Sequence, residues 1–153
     1  MWKLKTLWII KQKTITKIDN YAKTKAFKEL SKDKQEAILY LKEIKPAPMP
    51  EGMPRDDLDN LFKHFNGKQD QQQREIYTKL LDDTRVNADI KIETQREGQL
   101  RQAYIKAYQH EITHDLYYMY VTQDNDRIHI TSFPMTKLKD VISQIKKCVR
   151  VVS

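Results

Sequence analysis

The chain has 153 residues, a net charge of +7, 39% hydrophobic and 32% charged residues. That length suits one domain that can bury a core without staples, and a lone cysteine, Cys148, excludes an internal disulfide framework. Three glycines, with no G-x-x-x-x-G-K or G-x-G-x-x-G pattern, exclude the common phosphate-cradling loops.

At the N-terminus, Trp2-Lys3-Leu4-Lys5 alternates apolar and basic residues and runs into Leu7-Trp8-Ile9-Ile10, which predicts a strand through about residue 10. The apolar run is four residues long. A signal peptide needs roughly 7–15 and a spanning helix about 20, so no transmembrane segment and a cytoplasmic location are expected. Residues 15–30 carry a weaker pattern, helical in its second half. Residues 1–30 thus read as a basic arm, or a strand plus helix, ahead of one globular α+β domain at 31–153.

Charge is segregated. Residues 1–28 hold lysines 3, 5, 11, 13, 17, 23, 25 and 28 against Asp19. Residues 137–153 hold Lys137, Lys139, Lys146, Lys147 and Arg150 against Asp140, while the middle is slightly acidic. Basic blocks of this kind mark attraction to an anionic partner, a nucleic acid or an acidic protein surface. Trp2, Lys3, Lys5, Trp8, Lys11, Lys13, Lys146, Lys147 and Arg150 are the candidate contacts. Tryptophans among lysines can stack bases while the ammonium groups meet phosphates.

Ser31 is a candidate N-cap, and Ala37, Leu41 and Ile44 share a face, which predicts a helix over 32–44. Prolines 46, 48, 50 and 54 make 45–54 an extended connector. Pro54 then opens a helix with Leu58, Leu61, Phe62 and Phe65 on one stripe and Asn66-Gly67 at its end. Another helix is predicted over about 69–83. Residues 87–93 alternate, with Ala88, Ile90 and Ile92 inward, and predict a strand, with a helix continuing from residue 69 as the rival. Gln, Arg, Glu, Leu and Ala over 94–103, with a stripe through Leu100, Tyr104, Tyr108 and Ile112, predict a helix over 95–113 despite Gly98, with a strand as the alternative because Ala103, Ile105 and Ala107 also alternate and the segment is rich in tyrosine. Residues 116–121 and 127–133, around the turn at 123–126, read as a hairpin. A final helix follows, carrying Leu138, Val141, Ile142, Ile145 and Cys148 on one face. The whole reads as a mainly helical α+β domain with a C-terminal hairpin or small antiparallel sheet and a terminal helix.

One stretch carries a chemical motif. His110-Glu111-Ile112-Thr113-His114 has the H-E-x-x-H form of zinc hydrolases. On a helix, two histidines four apart share a face and can bind one zinc ion, and Glu111 can then act as general base on the metal-bound water. The pentapeptide resembles that of the neprilysin-type zinc peptidases, whose third ligand is a downstream glutamate. No glutamate follows Glu111 here, and no Gly-x-x-His extension is present. Asp115, Asp124, Asp126 and His129 are the nearby candidates for a third ligand. Zinc is therefore a conditional cofactor, and otherwise none is expected.

Three functions follow: a non-catalytic protein binding an anionic partner, a small zinc hydrolase using His110, Glu111 and His114, and a metal-independent ribonuclease. The last is loosely similar to the RelE-like toxin nucleases, with helices before an antiparallel sheet and His129 and Thr131 on one sheet face beside a lysine. The first is the leading expectation.

Overall fold

The computed structural model describes residues 2–50, 71–110 and 114–152, with side chains from residue 8 in the first stretch, residue 77 in the second and residue 116 in the third. The helix expected over 54–66, with Leu61 and Phe62, lies outside the described residues.

The N-terminal segment is a helix, α1 (Trp2–Ala22), and not a strand. The alternation at residues 2–5 is short, whereas Ile10, Thr14, Ile15, Ile18, Tyr21 and Ala22 recur at spacings of three and four, which only a helix turns to one side. Ile18 is fully buried there. Short helices α2 (Lys25–Lys28) and α3 (Lys32–Tyr40) follow. Thr24 caps α2 by accepting from the Phe27 N–H at 3.3 Å, and the buried Phe27 ring meets Tyr21 edge-on at 5.9 Å. Ala37, Leu41 and Ile44 are buried as the spacing predicts.

The proline-rich connector is extended where it is described. Within it, β1 (Ala47–Pro48) pairs parallel with Tyr108 and Gln109. Helix α4 (Gln71–Val86) leads into β2 (Ile90–Arg96), β3 (Gln99–His110), β4 (His114–Gln123) and β5 (Ile128–Met135). Helix α5 (Leu138–Lys147) then carries the chain back to β6 (Arg150–Val152). Among the described residues the sheet has six strands: five run antiparallel in the order β5-β4-β3-β2-β6, and β1 lies parallel beside the far end of β3.

This sheet overturns the expectation of a mainly helical domain with a small C-terminal sheet. The described part of the segment expected to be a helix over 95–113 is the end of β2, a two-residue turn and β3. The middle of β3 is buried on both faces, with Ala103, Ile105 and Ala107 on one and Tyr104 and Tyr108 on the other, so the polar alternation that marks a half-exposed strand is missing there.

On one face α1, α2, α3 and α5 cover Ile90, Ile92, Ala103, Ile105, Ala107, Tyr117, Met119 and Val121. On the other, α4 places Tyr77 and Leu80 over Tyr108, Leu116 and Tyr118. Cys148 closes the first core, its thiol donating to the Ile145 carbonyl at 2.9 Å. No helix among the described residues is long and apolar enough to cross a membrane.

Candidate anion-binding groove

The amphipathic patterns of α1 and α5 each bury one side on the sheet, and between the two helices a groove of about 620 Å³ is left open. From α1 it takes Thr14, Lys17 and Tyr21, which share a face at i, i+3 and i+7. From α5 it takes Leu138, Lys139, Ile142, Ser143 and Lys146, with Thr136 and Lys137 leading in and Tyr117 of β4 below. Four lysines line it (17, 137, 139 and 146), and among the described residues no carboxylate does.

Lys137 caps α5 without a side-chain hydrogen bond, and Asp140 stands in the first turn against the positive end of the helix dipole. Lys146 Nζ sits 5.9 Å from the Tyr21 ring centroid, and this contact holds the ammonium group over the groove. The Tyr21 hydroxyl is buried with no hydrogen-bond partner among the described residues.

A second hollow, of about 360 Å³, adjoins the first. It is shallower and lies along α1, lined by Trp8, Ile9, Gln12, Lys13, Thr16 and Lys17. Lys17 belongs to both hollows.

The candidate contacts divide accordingly. Lys146 lines the groove, Trp8 and Lys13 line the second hollow, and Lys147 is exposed. Lys11 is turned inward, donating to the Ile44 carbonyl at 2.8 Å. Arg150 is held by Glu93 in a two-pronged pair of 2.8 and 3.0 Å, which lowers the Glu93 carboxyl from its ordinary value and raises Arg150. Trp2, Lys3 and Lys5 sit on the first turns of α1, and their side chains lie outside the described residues. Lys17, Lys137 and Lys139 were missed as contacts. Their signal was present in the two basic blocks, but which members of each block face one another is a property of the tertiary fold.

The histidine motif lies on a hairpin. His110 ends β3, His114 begins β4, and the two are register partners across the strands. The helical turn that a zinc-hydrolase reading needs is therefore absent on both sides of residues 111–113. Those residues, Glu111 among them, and the side chains of His110, His114 and Asp115 lie outside the described residues. The hairpin does bring the two histidine backbones opposite one another, unlike the ~13 Å of a continuous strand.

The other proposed third ligands are remote. His129 pairs with Thr122, eight residues along β4 from His114, or about 26 Å at ~3.3 Å per residue. Asp124 and Asp126 lie in the turn beyond. Among the described residues no three His, Cys, Asp or Glu side chains converge to hold a metal ion.

The nuclease arrangement is separated as well. A β-bulge falls between Val121 and Thr122, so Thr131 pairs with Val121 and His129 with Thr122. His129 and Thr131 therefore face opposite sides of the sheet, although simple alternation puts them on one. His129 packs instead on the Tyr120 ring at 5.2 Å.

Comparison with protein-family models, with curated proteins and with solved structures returns no match for this chain.

Proposed function

We propose that this protein binds a polyanionic partner, a nucleic acid or an acidic protein surface, without catalysis, and that the groove between α1 and α5 is where it does so. One observation carries the reading. The two basic ends of the chain, far apart in sequence, meet across a single recess lined by lysines 17, 137, 139 and 146 with no carboxylate among the described lining residues. Four ammonium groups so close together repel one another unless counterions or a ligand neutralise them, and a partner that brings several linked anions releases those counterions on binding. This reading requires no cofactor and suits the cytoplasm, where the free thiol of Cys148 stays reduced.

The test is binding of a labelled polyanion, such as heparin or a mixed oligonucleotide, followed by fluorescence anisotropy. Replacing Lys17, Lys137, Lys139 and Lys146 together by glutamine should abolish most of the binding. A control removes the same number of charges elsewhere, at Lys23, Lys25, Lys28 and Lys32, and should leave it largely intact. Equal loss in both proteins would mean that net charge alone is responsible and that the groove is not a site.

A further inference from the structure

We infer that the groove and the adjoining face of α1 form one track for single-stranded nucleic acid, with phosphates on the lysines and a base stacked on Trp8. The inference rests on the polyanion reading above and names its partner.

Trp8 is 64% exposed and Ile9 beside it 41%, although the same helix reaches the core further on, at Ile18. An indole left in water is unusual, because a tryptophan side chain gains more than most from burial. Here it is surrounded by the groups that recognise a nucleotide. Lys13 and Lys17 follow it along the helix, with Gln12 and Thr16 between them. Lys17 also lines the larger groove, so the hollow beside Trp8 and the lysine recess meet at that side chain. Trp8 and Tyr21 are thirteen residues apart on α1, about 20 Å along its axis at ~1.5 Å per residue and roughly 140° apart around it at ~3.6 residues per turn, so a strand that reaches both crosses the helix obliquely. A span of that size suits a strand of about four nucleotides, the short end of the range for single-strand grooves.

The surroundings of Trp8 discriminate among polyanions. A duplex hides its base faces inside the stack, so it can satisfy the lysines but offers the indole nothing. An acidic protein surface supplies carboxylates and has no need of a flat aromatic platform. A membrane surface wants a continuous apolar stripe, whereas beyond Trp8 and Ile9 this face continues as Gln12, Lys13, Thr16 and Lys17. A single strand alone uses both parts, since every base has a face that stacks and every nucleotide brings a phosphate.

The experiment uses the full chain with four probes: a twelve-nucleotide single-stranded RNA or DNA, the matched duplex, poly-glutamate, and vesicles containing phosphatidylserine. Trp8→Ala should weaken single-strand binding by about 5- to 100-fold, the effect of removing one stacking platform, and change duplex affinity less than about two-fold. Trp8→Phe should restore most of the loss, which separates stacking from damage to the fold. In a Trp2→Phe background the remaining emission comes from Trp8, and it should be quenched by the single strand and not by the duplex. If Trp8→Ala leaves single-strand and duplex binding equally unchanged, or weakens both alike, the stacking inference is overturned while the lysine groove still stands. If the four-lysine variant binds every probe as well as the parent, the polyanion reading itself fails. Tight binding to vesicles or poly-glutamate with none to oligonucleotides overturns the inference in favour of that partner.

Discussion

Asp126 shows how one side chain holds an unfavourable stretch of backbone. Asp124, Asn125 and Asp126 have φ of 52°, 53° and 67°, three successive residues in the left-handed region, at a cost of up to about 1–2 kcal/mol each, less for Asn and Asp. The turn is secured by the Asp126 carboxylate, which accepts from Tyr104 Oη at 2.7 and 2.9 Å and from Thr122 Oγ1 at 2.6 Å. Burial by itself raises the Asp126 carboxyl, but the hydrogen bonds from Thr122 and Tyr104 outweigh it and the net shift is downward. Asp126→Ala strands the fully buried Thr122 hydroxyl and should cost about 1–3 kcal/mol in urea unfolding. The pH dependence has a definite sign. A carboxyl lowered in the folded state contributes stability above its unfolded value, ~3.9, and loses it as the pH falls through the folded value. The stability gap between the parent and Asp126→Asn should therefore be full at pH 6 and narrow below about pH 4. A gap that is constant with pH would mean that the charge is irrelevant to the turn.

The hairpin of β2 and β3 explains which elements were legible in sequence and which were not. Glu97 and Gly98 form its two-residue loop, with φ of 53° and 79°, the left-handed pair of a type I′ turn. Gly98 reads as a blemish in a helix only if 95–113 is taken as helical, and it is the strongest local evidence for a turn. The misleading signal was the stripe at Leu100, Tyr104, Tyr108 and Ile112. A spacing of four is even, so it marks one face of a strand as well as of a helix, and Tyr104 and Tyr108 do share a sheet face. The β2 pattern and the β4–β5 hairpin were legible because their flanking turns are polar and their cores β-branched or aromatic. A Cβ built on Gly98 meets nothing within 4 Å, so Gly98→Ala should lose only backbone energy, about 1–2 kcal/mol, and Glu97→Asn should gain up to about 1 kcal/mol by thermal or urea melting. A neutral Gly98→Ala would be incompatible with this loop. The β3–β4 hairpin bears on metal in the same way. With His110 and His114 on paired strands and His129, Asp124 and Asp126 about 26 Å off or more, purified protein should hold far less than one zinc per chain, and a chelator should leave its melting temperature unchanged. One zinc per chain with a chelator-sensitive melt would show that the hairpin itself holds metal.

At the scale of the whole molecule the organising feature is the return of the C-terminus to the N-terminal helices. Strand β6 pairs with β2, and the Val151 N–H donates to Asp33 of α3 at 2.8 Å. Lys34 Nζ donates to the Lys146 carbonyl at 2.8 Å. These ties fix α5 beside α1 and so set two basic blocks against one recess. Sequence showed the blocks but could not show that Lys11 and Arg150 are occupied internally while Lys17, Lys137 and Lys139 face the groove, because that depends on contacts 33 and 57 residues apart for the first two and on ties 112 and 118 residues apart for the groove. The distinction has a measurable consequence in salt. If the four groove lysines each neutralise one phosphate of a single strand, log K should fall against log salt with a slope of about −2.8, or roughly fifty-fold in affinity between 50 and 200 mM. Changing Arg150 to glutamine should leave that slope unchanged, because its charge is already matched by Glu93. Each Lys→Gln change in the groove should flatten the slope by about 0.7. If Arg150→Gln flattens it as much as Lys139→Gln does, binding is spread over the basic surface and the groove has no special part in it.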